Sequence, residues 1–277
     1  MLDEILPRIL SSQWRVIIIV SAVLLLATEV GFRIGLGLFR AKDEARKAQI
    51  GGVQNATLGV LGLLLGFTFA MALGLYENRR DLVQREANSI ATTFLRAAFL
   101  PATHQATVEN LLRRYVVVRL NFYKSGDEAA RAAAELSAAE IQRELWTHAV
   151  QAGKESPSPI VATFITSLNE TIDFDATQLH AFRTRVPGSV WILVLAVAIV
   201  GCCATGYRAG SSGARAGFSD VALPLLLAIV ITLVVDLAHP QGGLILIDQR
   251  PLLDLQNSLA TGARPSPGAA SHEIGPD

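Results

Sequence analysis

The chain has 277 residues, 51% hydrophobic and 17% charged, with basic and acidic residues in equal number and a formal net charge of zero. No charge excess marks a nucleic-acid partner, and the two cysteines, Cys202 and Cys203, are adjacent within an apolar run, where they read as reduced packing residues rather than redox or metal ligands. A soluble domain of this length could bury a core, but it would not collect its apolar residues into uninterrupted runs as this chain does.

Four such runs form two pairs, with residues 77–185 between the pairs. A membrane helix needs about 20 predominantly apolar residues to cross about 30 Å of hydrocarbon, because only a helix of that length satisfies its own backbone without water. The first run, 16–39, follows Arg8 and Arg15 as a signal peptide would, but it is long and lacks a small-residue cleavage site, so an uncleaved span is expected. It carries Glu29 and Arg33, and the fourth, 221–235, is short and runs into Asp236 before His239-Pro240. A charge in mid-membrane costs about 2.5–3.5 kcal/mol on insertion scales, so these three side chains should be paired or face protein or water; Glu29 and Arg33 are four apart and could pair along their helix. The second and third runs, 50–76 and 186–207, contain no Asp, Glu, Lys or Arg at all.

Four spans place both termini and the central domain on one side. Arg8, Arg15, Arg79, Arg80, Arg85, Arg183, Arg185 and Arg250 flank the membrane there, against Arg40, Lys42, Arg46, Lys47, Arg208 and Arg215 on the other face. That excess of basic residues predicts a cytoplasmic central domain in a plasma-membrane protein, or an inner-membrane one in a Gram-negative cell.

Inside the second span Gly62, Gly66, Ala70 and Gly74 recur every four residues and line one face. Lipid removes the hydrophobic drive between helices, so small residues at this spacing permit close backbone contact. Gly31 and Gly35 repeat the device in the first span. Val60, Leu64, Phe67 and Met71 lie on another face of the second span, which either meets lipid or narrows a pore in an oligomer.

The central region reads as helical throughout, with apolar residues three and four apart. Val108, Leu111, Leu112, Tyr115, Val118 and Phe122 make one stripe, and Ile160, Phe164, Leu168, Ile172, Leu179, Phe182 and Val186 make another that leads straight into the third span. Pro101 separates two helices, Asp127 is a candidate cap, and 153–159 is a loop. The fold class is therefore an all-α membrane protein: a transmembrane pair in 1–76, a helical bundle in 77–185, a second pair in 186–240, a membrane-adjacent segment in 241–260 and a disordered tail in 261–277.

Ala27-Thr28-Glu29-Val30-Gly31 with Gly35, then Leu61-Gly62-Leu63-Leu64-Leu65-Gly66-Phe67-Thr68-Phe69, resemble the opening of the bestrophin-like family of membrane proteins. Arg79-Arg80-Asp81-Leu82-Val83, Glu86-Ala87-Asn88-Ser89-Ile90, Leu95-Arg96, Leu100-Pro101 and Arg114-Tyr115 with Arg119 follow in the family's order. Asn169 and Asp173, Arg185-Val186-Pro187, Asp236-Leu237, Pro240 with Gly243, and Pro251-Leu252-Leu253-Asp254 resemble its second half, so the likeness covers nearly the whole chain. Where the family usually shows an acidic residue, an arginine and a proline after the Asp-Leu step, this chain has Ala238-His239-Pro240. The resemblance implies a pentameric anion channel with a hydrophobic neck on its second span.

Ion conduction, anions first, in a self-associated oligomer within the lipid bilayer is thus the expected function. Anion passage needs donors or basic rings and a constriction. Arg79, Arg80 and Arg85 just beyond the second span could supply the rings, and Phe67 or Met71 the constriction; an ordinary topological or packing role is the alternative for each. Glu86, Asn88, Arg96, Arg119, Asn169 and Asp173 form a polar set on helices that should pack together, either as a buried network that fixes helix register or as an ion or ligand site. The competing function is a non-conducting membrane sensor or scaffold whose bundle binds a ligand or protein partner. No nucleotide-binding glycine loop, nucleophile elbow or metal-ligand histidine spacing occurs, so neither enzyme activity, a metal nor a cofactor is expected.

Overall fold

In the computed structural model the described residues are 13–37, 44–125, 127–213, 217–239 and 247–261. Among them the chain forms eight helices and no strand: α1 (Gln13–Gly37), α2 (Glu44–Ala97), α3 (Ala102–Lys124), α4 (Glu128–Glu155), α5 (Pro159–Arg183), α6 (Gly188–Ser211), α7 (Phe218–Ala238) and α8 (Arg250–Thr261). Four helical stretches are long and apolar enough to cross a membrane, as expected for an all-α membrane protein. The chain divides into two compact units, Met1–Tyr76 with Arg185–Leu246, and Glu77–Thr184 with Ile247–Asp277.

The first unit packs α1, the N-terminal part of α2, α6 and α7 around Leu24, Leu61, Leu65, Val194, Ala198, Cys202, Leu227, Ala228, Ile231 and Val235. Its tightest seam joins α1 to α6. A Cβ added to Gly31 would collide with the Cys203 carbonyl, and one on Gly206 would collide with the Thr28 carbonyl oxygen and lie 2.8 Å from its carbon. Gly35 and Gly210 meet Tyr207 and Phe32 in the same way. Two glycine pairs at four-residue spacing therefore interlock, and backbone lies directly on backbone. Both cysteines are free, and Cys202 is buried in this core as a packing residue.

The second unit is a bundle of the C-terminal part of α2 with α3, α4 and α5, and α8 lies on α3. Its helix starts follow local chemistry. Asp127 accepts a hydrogen bond from the Ala129 amide, and Ser158 caps α5 through the Val161 amide with Pro159 at the first helical turn, where a missing N–H does no harm. Val108, Leu111, Leu112, Tyr115 and Phe122 are buried as expected, whereas Val118 is half-buried and Ile160 exposed.

Two elements differ from expectation. The apolar stripe of α5 does not run on into the third span: α5 stops at Arg183, and α6 begins after Pro187, because the proline ring disfavours helical backbone at the preceding residue. Of the segment expected beside the membrane, 241–246 lies outside the described residues, and α8 buries Leu252, Leu255 and Leu259 within the second unit, where Arg113 Nε donates to the Leu259 carbonyl at 3.2 Å. The tail after Thr261 also lies outside the described residues.

Candidate functional site

The first-unit portion of α2 turns one stripe inward, Gln54 and, two turns on, Leu61, Leu65, Thr68 and Ala72, the last four spaced three and four apart. Most of its remaining circumference is not covered by the described residues. Among the expected pore-lining residues Val60, Phe67 and Met71 are exposed, Phe67 by 65%, while Leu64 is half-buried and packs against the unit's core. Gly62, Gly66 and Gly74 have nothing within 4 Å of an added Cβ, and Ala70 is exposed. The two small-residue faces thus behave differently: Gly31 and Gly35 are filled inside the chain, and the face of the second span is not.

Several polar groups in the spans are hydrogen-bonded or paired. Gln54 Nε2 donates to Thr205 Oγ1 at 3.0 Å, and Arg208 Nη1 reaches Gln54 Oε1 at 3.4 Å. Arg33 Nε donates to Glu29 Oε1 at 2.9 Å, the expected pair one turn apart. Asp236 is buried near the end of α7, beside Leu237 and Ala238.

Arg79 and Arg80, neighbours in sequence, face opposite ways. Arg80 is exposed. Arg79 is 1% exposed; its Nε donates to the Ala181 carbonyl at 3.2 Å and its Nη2 to the Thr184 carbonyl at 2.8 Å. These carbonyls belong to the end of α5, where the helix leaves its last acceptors without internal partners and carries the negative end of its dipole. The Arg79 guanidinium is therefore a helix-end clamp rather than a group displayed to solvent.

Within the bundle, Arg119 gathers partners from two other helices. Its Nε donates to Glu86 Oε1, its Nη1 to Asp175 Oδ1, and its Nη2 to Gln178 Oε1 at 2.6 Å. The Tyr123 hydroxyl is shared between Glu86 Oε2, at 2.9 Å, and Gln178 Oε1. Gln142 Nε2 donates to the Tyr115 hydroxyl at 3.0 Å and to Asp175 Oδ2 at 2.9 Å. The guanidinium also stands 4.9 Å from the Phe122 ring centre, within cation–π range.

Electrostatics follow from burial. Removal from water opposes the Arg119 charge, but the Glu86 and Asp175 carboxylates outweigh that penalty and hold its pKa well above the usual value. Burial likewise pushes the Tyr115 and Tyr123 phenols far above their ordinary range, with the nearby Glu86 carboxylate adding to the rise at both, so both stay neutral. The network joins all four bundle helices around Arg119, and within it Gln178 Nε2 is buried without a hydrogen-bond partner among the described residues.

The sequence-derived polar set is brought together only in part. Glu86 and Arg119 meet, whereas Asn88 pairs with Gln84 at 3.2 Å, Arg96 donates to the Thr163 carbonyl at 3.0 Å, and Asn169 donates to Asp173 at 3.1 Å on the exposed side of α5. Tyr123, Gln142, Asp175 and Gln178 were absent from that set. Their signal lay in helical phase: Leu168, Thr171, Asp175, Gln178 and Phe182 are successive positions of one stripe, and Asp173 lies off it.

Residues 18–252 match the family model described as the Bestrophin-like domain. No curated protein matches the chain. Among solved structures, a bacterial bestrophin homologue from Klebsiella pneumoniae, in a tyrosine-to-alanine variant, is similar at 14% identity with a TM-score of 0.61, over 87% of this chain and 99% of that one. An aspartate-to-alanine variant of a bestrophin homologue from the same organism aligns at 15% identity and a TM-score of 0.59, covering 88% and 98%. A membrane protein in a proline-to-alanine variant gives 13% and 0.56, covering 91% and 98%. At such identities the structural likeness speaks for the fold, and the family model, which runs from the first span to α8, speaks for descent: the chain belongs to the Bestrophin-like family of multi-pass membrane proteins.

Proposed function

We propose that this chain is one subunit of a homo-oligomeric ion channel, anion-conducting, in which α2 of each subunit lines a central pathway. One observation carries the reading: α2 offers a small-residue face of Gly62, Gly66, Ala70 and Gly74 that no described residue of its own chain covers, next to the exposed Val60, Phe67 and Met71. A second copy against the glycine face would bring the neighbouring large side chains towards a shared axis. Five copies are what the family resemblance implies. Phe67 then forms the constriction, closing by size or dewetting, with Met71 and Val60 as further rings and Leu64 partly behind them. Arg80 and Arg85, both exposed, supply basic rings beyond the span, and Arg79 does not, since it is engaged at the end of α5. The central domain faces the cytoplasm on the balance of flanking arginines.

The test combines assembly with flux. Mass in detergent separates an oligomer from a monomer, and chloride against potassium flux in liposomes reads conduction. A Cβ at Gly66 meets no described residue of its own chain, so Gly66→Leu should fold, lose assembly and change flux. No flux across pH and voltage from folded, oligomeric protein would overturn conduction and favour a sensor or scaffold.

A further inference from the structure

Where α3 begins and α4 ends, two imidazoles face each other. His104 Nδ1 and His148 Nδ1 are 3.0 Å apart, with the rings edge to face. His104 is buried and His148 half-buried. Glu155, the last residue of α4, places Oε1 3.1 Å from His104 Nε2. That oxygen lies off the N–H direction, so the contact is electrostatic rather than a directed hydrogen bond. The Thr103 hydroxyl donates to the other Glu155 oxygen at 3.3 Å, and the Glu155 side chain is half exposed, so solvent reaches the carboxylate while His104 Nε2 beside it is buried.

Hydrogen counting limits what this contact tolerates. An Nδ1 to Nδ1 bond needs one N–H and one lone pair. A neutral pair with one Nδ1–H satisfies it. So does a pair carrying one extra proton, because the imidazolium donates to its neutral neighbour and the Glu155 carboxylate balances the charge. A second extra proton places N–H on both facing atoms, two hydrogens and two like charges at 3.0 Å against one carboxylate.

Among the described residues, the other charged groups on the helices of this bundle are at least partly exposed or engaged elsewhere. On α4, Glu144 and Lys154 are exposed; on α3, Glu109 is held by Gln105 and lies 3.7 Å from Arg113. From α2, Arg96 is bonded to the Thr163 carbonyl, and α5 carries no titratable side chain from Pro159 to Asn169. On α8, Arg250 faces Asp248 and Asp254 is exposed.

We infer that His104 and His148 form a proton-operated latch between α3 and α4. It is closed with none or one added proton and opened by the second, so acidification frees this end of the bundle.

The test is hydrogen–deuterium exchange on the purified full-length protein in detergent with EDTA, between pH 8 and 5 and corrected for the intrinsic exchange rate. Peptides covering 102–112 and 145–155 should gain exchange on acidification, by up to about tenfold per pH unit as one-proton linkage allows, while 164–178 stays level. His104→Gln and His148→Gln should flatten the response. Glu155→Gln should move the opening to higher pH, since the carboxylate steadies the charged pair only while the latch is closed. A response equal in all three regions, or one that persists in both histidine variants, would overturn the latch. Should a histidine variant fail to fold, the wild-type profile still decides, by whether the rise is confined to the two peptides at the pair.

Discussion

Gly206→Ala isolates the helix seam that holds the first unit together. The added methyl would collide with the Thr28 carbonyl oxygen and stand 2.8 Å from the Thr28 carbon, where an ordinary contact begins at 3.4 Å. The obstacle is backbone, which has no rotamer to change, so α1 and α6 must separate by more than the roughly 0.6 Å that the carbon alone requires, the oxygen being nearer still, and the neighbouring contacts at Gly31, Gly35 and Gly210 loosen with them. Overpacking of this kind costs about 1–3 kcal/mol. Alanine gains about 0.5–1 kcal/mol over glycine in a helix interior, which only partly offsets that loss. The net effect should be a destabilisation of roughly 1–2 kcal/mol, and each kcal/mol shifts Tm by about 2–4 °C in a chain of this size class. Thermal unfolding in detergent, followed by tryptophan fluorescence, reads it directly. Gly37→Ala at the end of α1, where no described residue lies within 4 Å, is the control and should leave Tm unchanged or slightly raised. A Gly206→Ala protein as stable as wild type, or more so, would refute the backbone-on-backbone seam.

The bundle network gives two further expectations. Arg119→Met strands the fully buried Glu86 carboxylate and should cost about 3–5 kcal/mol, while adding Glu86→Gln should recover part of the loss; denaturant unfolding of the two single variants and the double variant checks this through the sign of their coupling. For the phenols, the folded state keeps Tyr115 and Tyr123 protonated above the ordinary value of 10.0, so the unfolded chain loses those protons first. Their contribution to stability is therefore constant below about pH 10 and falls above it, by about 1.4 kcal/mol per pH unit for each tyrosine, and Tyr115→Phe should halve that slope in an alkaline unfolding series.

Much of this architecture can be read from residue order because length and apolarity are global constraints in a bilayer: 50–76 and 186–207 have no other stable use. Local chemistry is equally legible, as Asp127 at a helix start and Glu29 with Arg33 one turn apart illustrate. Pairing between faces is not. Gly206 and Gly210 show the same four-residue spacing as Gly62 and Gly66, yet spacing says only that a face is small, not which face it meets. Arg79 carried a subtler signal. It follows Ala72 by seven residues on the inward stripe that continues through Leu82, Glu86, Ile90 and Thr93, and helical phase outweighs the habit of placing juxtamembrane arginines in water. Asp175 is hard to see for the same reason: it stands two residues from Asp173, and two residues along a helix turn a side chain by more than half a revolution.

The glycine seam between α1 and α6 also has a consequence for biosynthesis. Gly31 and Gly206 are 175 positions apart, so the first span leaves the ribosome long before its partner exists. At about 5–20 residues per second the delay is roughly 9–35 seconds. During that interval the glycine face of α1 contacts lipid or the insertion machinery, and its Glu29 and Arg33 have each other as the nearest counter-charge along their own helix. An ion pair contained within a single helix suits a span that must wait alone in the membrane for the rest of its fold.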